Sequence, residues 1–218
     1  MIQIQKFSLA MPAILLAFTL TACEPSAPPV APEPSAQDMF FEHLSILCGK
    51  AYPGQLVSDQ EVDAEMSGQP MAMHVATCDQ NEIQIPFHIS ENDGSWNRSR
   101  TWTITRTENG LRLKHRHRHE DGSLDVVTNY GGDTETAGTQ QRQEFPVDDE
   151  SITLFEANEL QQSVTNIWAM EISPPGTPNA RFAYELRRPE DAGGRFFRVE
   201  FDLAKSIDIP PPPWGDEN

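Results

Sequence analysis

From Tyr52 onward, apolar and polar side chains exchange places at every second residue, the period of strands with one face buried. The clearest cases lie near the end. Phe182, Tyr184 and Leu186 alternate with Arg181, Ala183, Glu185 and Arg187, and Phe197, Val199, Phe201 and Leu203 alternate with Phe196, Arg198, Glu200 and Asp202. The same pattern predicts strands near 52–58, 70–77, 82–89, 99–107, 111–120, 123–130 and 162–172, with one short helix near 149–158. Ahead of them, Ser35 and Asp38 resemble a capping box. Phe40, Phe41, Leu44, Leu47 and Cys48 then follow at helical spacing before Gly49, which predicts one amphipathic helix. Many strands joined by short polar turns predict a mainly β protein. The expected form is an antiparallel up-and-down, calycin-like barrel of about 8–10 strands, with a β-sandwich as the alternative. The meander at 99–130 favours the barrel.

Two dipeptides, Asn109-Gly110 and Asp121-Gly122, are signals for two-residue hairpin turns and allow side chains to be paired. With Asn109-Gly110 as the loop, Ile104 faces His115, Trp102 faces His117 and Arg100 faces His119. With Asp121-Gly122 as the next loop, His119 faces Leu124, His117 faces Val126 and His115 faces Thr128. Both registers gather Trp102, Ile104, Leu113, His115, His117, His119, Leu124, Val126, Thr128 and Tyr130 on one face. The other face takes Thr101, Thr103, Thr105, Arg112, Lys114, Arg116 and Arg118. Arg100 and Arg106 fall on the apolar side, the one exception to this sorting.

The run Lys114 to His119 thus splits into an outward basic face and an inward histidine ladder. A cup lined by Trp102, His115, His117, His119, Thr128 and Tyr130 is the candidate site for a small-molecule ligand. Alternatively, neutral histidines fill the wet mouth of the barrel and hydrogen-bond to Thr128, Tyr130 and backbone. Histidines two apart on a strand stand about 6.6–7 Å apart at Cα, so His115, His117 and His119 are also candidate zinc or copper ligands. No cofactor is otherwise expected.

Charge narrows the partners. The 218 residues carry 16 Lys and Arg against 33 Asp and Glu, a formal charge of −17, which disfavours nucleic acid as a partner. Arg112, Lys114, Arg116 and Arg118 nevertheless share the outer side of one strand, where an anionic envelope component such as a lipid head group is a possible partner.

Residues 1–22 hold one charged side chain, Lys6, and an apolar run from Leu9 to Leu20, the pattern of a secretory signal. Leu20-Thr21-Ala22-Cys23 resembles the lipobox of bacterial lipoproteins. That resemblance implies acylation of Cys23, anchorage by membrane lipid and a periplasm-facing location, with Glu24 weakly favouring the outer membrane. Once Lys6 is removed, 15 basic residues against 33 acidic ones leave −18. With Cys23 lipidated, Cys48 and Cys78 remain as an even pair, expected to form a disulfide in an oxidising compartment. The expected organisation is a signal peptide at 1–22, lipidated cysteine and Pro-rich linker at 23–37, barrel domain at 38–205 and a disordered Pro-rich tail at 206–218.

No nucleophile elbow, phosphate loop, dinucleotide fingerprint, zinc-protease motif or calcium loop occurs, so no enzymatic activity is expected. Gly131-Gly132-Asp133 reads as a turn, since no helix start follows it. The segments LKHRHRHEDGS, RFAYELRR and RFFRVEFDL resemble a group of uncharacterised secreted proteins and lipoproteins from Gram-negative bacteria, over residues 38–203. The resemblance implies a compartment and no chemistry. The expected function is therefore a lipid-anchored binding protein; an envelope interaction protein and a metal-binding module are the alternatives.

Overall fold

In the computed structural model, which describes residues 1–3 and 33–217, every main strand lies beside its successor in sequence. The strands are β1 (Ala51–Leu56), β2 (Met71–His74), β3 (Thr77–Cys78), β4 (Glu82–Ser90), β5 (Trp96–Thr107) and β6 (Gly110–His117). They continue with β7 (Tyr130–Asp133), β8 (Arg142–Pro146), β9 (Ile167–Ile172), β10 (Arg181–Arg188) and β11 (Arg195–Asp202). Around the sheet the order is β7, β6, β5, β4, β2, β1, β11, β10, β9, β8, all antiparallel, with β3 as a side branch on β4. The ends of this path nearly meet. Gly132 bridges Val147, and the Asp148 N–H donates to the Gly131 carbonyl at 3.0 Å. The molecule is thus a nearly closed ten-strand up-and-down barrel; the sandwich alternative is excluded. The signal segment, Cys23 and most of the linker lie outside the described residues.

Interior positions follow the alternation. Trp102, Ile104, Leu111, Leu113, Phe145, Trp168, Met170, Phe182, Val199 and Phe201 are all at most 2 % exposed. Burying such side chains contributes about 1.5–3 kcal/mol each before entropy is counted. One end of the barrel is plugged by α1 (Ala36–Ser45), which presents Phe40, Phe41 and Leu44. Its start is fixed by the expected capping box: Ser35 Oγ accepts from the Asp38 N–H at 3.0 Å, and Asp38 accepts from the Ser35 N–H at 3.1 Å. Arg106 anchors this helix by pairing with Asp38 and stacking 4.2 Å above the Phe41 ring. Just beyond α1, Cys48 and Cys78 form the disulfide, with Cα atoms 6.2 Å apart. A 30-residue separation places its stabilisation at roughly 3–4 kcal/mol.

Both hairpin registers differ from the expected ones. The β5–β6 loop is Glu108-Asn109, so Trp102 faces His115, Ile104 faces Leu113 and Arg100 faces His117. This is a shift of two, which keeps every side chain on its expected face. The second hairpin is more altered. Arg118, not His119, sits opposite Leu124, and that odd slip turns Leu124 outward at 50 % exposure. The chain then bulges away, leaving Val126 at 73 % exposure, and rejoins at β7 with Tyr130 opposite His115. Residues 123–129 therefore form no regular strand, and Gly131-Gly132-Asp133 is strand, not turn. The alternation also missed β8.

The C-terminal residues are docked, not disordered. Pro210 and Pro213 are buried, the Pro211 carbonyl lies 3.0 Å from His88 Nε2, and the Trp214 N–H donates to the Arg98 carbonyl at 3.3 Å. This strap covers the outer side of β4, where His88 is fully buried.

Candidate functional site

Strands β4, β5, β6, β7, β10 and β11 converge on a cavity of about 170 Å³ at the end of the barrel opposite α1. Its inner wall is made of Phe87, Trp102, Tyr184 and Phe197, and its polar wall of Arg100, His115, His117 and Tyr130. Met66, Leu186 and Arg195 complete the rim. Met66 ends a short 3-10 helix, Glu61–Met66, which the alternation gave no sign of.

Aromatic rings set the cavity's shape. Trp102 lies between two parallel neighbours, Phe87 at 4.8 Å and Tyr184 at 4.5 Å between centroids. His115 stacks on Tyr130 at 4.8 Å, and Tyr130 packs in turn against Phe155 of α2 (Asp149–Ala157) at 5.3 Å.

The hydrogen bonds fix the tautomer of His115. The Tyr130 carbonyl can only accept, so His115 Nδ1, 3.1 Å away, carries the proton. His115 Nε2 then accepts from the Tyr184 hydroxyl at 2.8 Å. His117 Nε2 lies 3.0 Å from the Tyr130 hydroxyl. Burial holds both rings neutral, pushing His115 down to about 3 and His117 down to about 4. Burial likewise pushes the Tyr130 phenol up to about 12 and raises Tyr184 further. Every phenol and imidazole here is uncharged at neutral pH.

Four arginines take inward positions on the barrel strands, and they differ in their partners; Arg188, opposite Arg195, donates its Nε to Asn166 Oδ1 at 2.9 Å. Arg106 has Asp38 at the plugged end. Arg195 grips the buried Asp63 with two hydrogen bonds of 2.6 and 2.5 Å. Arg100 has neither. Its Nη1 donates to Asn97 Oδ1 at 3.1 Å and Ser99 Oγ at 3.0 Å, and among the described residues no carboxylate pairs with it. Burial lowers its pKa from the ordinary guanidinium value, yet a guanidinium stays protonated at any physiological pH.

The expected site is thus partly assembled. Trp102, His115, His117 and Tyr130 meet as expected. His119 does not: it is exposed at the turn, because β6 ends at His117, three residues short of the expected strand end. Thr128 stands behind the site, its hydroxyl accepting the His117 N–H at 2.8 Å. Phe87, Tyr184, Leu186, Arg195 and Phe197 were missed as lining. Their inward faces were readable, but which strands oppose one another across a barrel is not.

The zinc or copper set His115, His117 and His119 is not brought together. Both nitrogens of His115 are engaged by the protein, and His119 is outside. Among the described residues no group of three or more His, Cys, Asp or Glu side chains is placed to hold a metal. The basic outer face is also corrected. Arg112 pairs with Asp133, Lys114 with Asp148 and Glu150, and Arg116 and Arg118 with Asp216 of the docked tail. The stripe exists in sequence, but the fold pairs all four cations with carboxylates, Arg116 and Arg118 sharing that of Asp216.

No family model matches the sequence, and no curated protein matches it. Among solved structures the chain is similar to a redesigned β-barrel, mFAP1, bound to DFHBI. The match has 10 % identity and a TM-score of 0.27, covering 73 % of this chain and 98 % of that one. So loose a superposition carries no inference about function.

Proposed function

We propose that the protein is a non-enzymatic binding module, held on the periplasmic side of the outer membrane by acylated Cys23, that takes a small ligand into the barrel mouth. The observation that carries the binding reading is the aromatic cavity of about 170 Å³ in a barrel otherwise filled by side chains. A dry cavity of about 150 Å³ accommodates benzene, so this one suits a single ring or a short branched chain. The anchoring reading rests on the Leu20-Thr21-Ala22-Cys23 motif and on the disulfide that leaves Cys23 as the odd cysteine.

Native mass spectrometry of the protein isolated from the cell envelope tests the first half. Wild type is expected to carry a small adduct that Leu186→Trp, which fills the cavity, lacks. An adduct common to both proteins, or absent from both, overturns the binding reading. Metabolic labelling with palmitate tests the second half: wild type takes up label and Cys23→Ser does not, and label retained by Cys23→Ser overturns the anchor.

A further inference from the structure

We propose that the cavity selects small monocarboxylates with an apolar body, the carboxylate being received by Arg100. The inference rests on the binding reading above and specifies its ligand class. It follows from the contrast between Arg100 and the other inward arginines, of which Arg188 bonds Asn166 and does not line the cavity. Arg106 and Arg195 each enter the barrel with a carboxylate from this chain, Asp38 and Asp63. Arg100 enters with amide and hydroxyl acceptors on Nη1 alone, and among the described residues its Nε and Nη2 have no acceptor. A half-buried cation without a counter-charge is costly unless something anionic arrives. The Nε–Nη2 edge is the fork that receives a carboxylate in two parallel hydrogen bonds.

The surroundings define the rest of the ligand. Behind Arg100 the cavity is walled by Trp102, Phe87 and Phe197, which suit an apolar body of about one ring. In front of it, Arg100 also borders a wider polar depression of about 820 Å³ that carries Glu65, Glu91 and Asp93. Those three carboxylates, on a chain of net charge −17, oppose phosphate and other multiply charged anions. The neighbouring His117 is neutral and adds no second positive charge. One carboxylate on one small apolar group satisfies all of these conditions together.

Isothermal titration of the full-length protein with benzoate, benzyl alcohol and inorganic phosphate tests the assignment. Benzoate is expected to bind at least about tenfold more tightly than the isosteric alcohol, with phosphate not binding. Arg100→Gln is expected to abolish that preference while leaving the alcohol's affinity within about twofold, and Arg100→Lys to restore part of it. Removing an unpaired charge does not threaten the fold, so the melting temperature of Arg100→Gln serves as the control. Equal binding of benzoate and alcohol, or a preference that survives Arg100→Gln, overturns the carboxylate assignment and leaves the cup as a ligand site. Tight phosphate binding overturns the monocarboxylate class. Neither organic probe binding at roughly 10 mM overturns the cup and its ligand class together.

Discussion

The Tyr184 hydroxyl donates to His115 Nε2 at 2.8 Å, joining β10 to β6 straight across the barrel. Because His115 Nδ1 is already committed to the Tyr130 carbonyl, this bond satisfies the remaining nitrogen of a ring that is 3 % exposed. It links the two halves of the barrel through polar atoms inside an aromatic core.

Tyr184→Phe keeps the ring stacked on Trp102 and removes only the donor, leaving a buried acceptor unmet. The expected loss is about 1–3 kcal/mol, which for a domain of this size lowers the melting temperature by roughly 3–10 °C. Thermal unfolding by circular dichroism measures it. A shift below about 1 °C shows that the bond contributes nothing.

Acid should destabilise the fold through its histidines. Burial holds His115 at about 3 and His117 and His88 at about 4, against an unfolded value near 6.5. Between those limits the unfolded chain binds more protons than the folded one. Stability is therefore fully present above about pH 6.5 and falls as the pH drops toward 4, by up to about 1.4 kcal/mol per histidine per pH unit. Urea midpoints at pH 7, 6 and 5 should decline in that order; a flat profile contradicts the buried neutral rings.

The C-terminal strap makes a separate prediction. Deleting residues 209–218 removes the Pro211 carbonyl that faces His88 and the Asp216 carboxylate shared by Arg116 and Arg118. The expected cost is about 1–3 kcal/mol, from the lost burial of Pro210 and Pro213 and the loss of the His88 hydrogen bond. Freed cations should also bind vesicles of anionic lipid that the intact protein ignores. Unchanged stability together with unchanged vesicle binding would show that the strap is passive.

Local pattern revealed much of this architecture, and where it failed the cause is geometric. The β10 and β11 alternation, the Ser35 cap and the inward His115 and His117 are local properties, so they were legible. Loop Glu108-Asn109 in place of Asn109-Gly110 moved the register by two, and parity protected the face assignments. The slip at Arg118 and Leu124 was odd and turned Leu124 outward, while β6 ended at His117 and left His119 outside the site. Composition misled at the tail, since prolines that cannot build a core can still lie on one. Arg100 was visible as a misplaced charge, but its significance depends on Asp38 and Asp63 having been assigned to other arginines, which is a fact of tertiary structure.

Closure of the barrel depends on two residues that have no side chain. Across the β7–β8 seam a Cβ on Gly132 would lie 1.7 Å from the Pro146 carbonyl oxygen, and toward β6, on the other side of the same strand, one on Gly131 would lie 1.8 Å from the Leu113 carbonyl oxygen. Both obstacles are backbone, so neither can rotate away. Gly132→Ala must push β8 from β7, lengthening the contact between Asp148 N–H and the Gly131 carbonyl and exposing two strand edges. The expected loss is on the order of 3 kcal/mol or more, with faster amide exchange at Asp148 and a tendency to associate through the opened edge. Gly94→Ala is the natural comparison, since φ there is +84° but a Cβ meets open space; its cost should stay near 1 kcal/mol, without any change at the seam. Equal effects of the two substitutions would mean that the close approach at Gly132 does not hold the barrel shut.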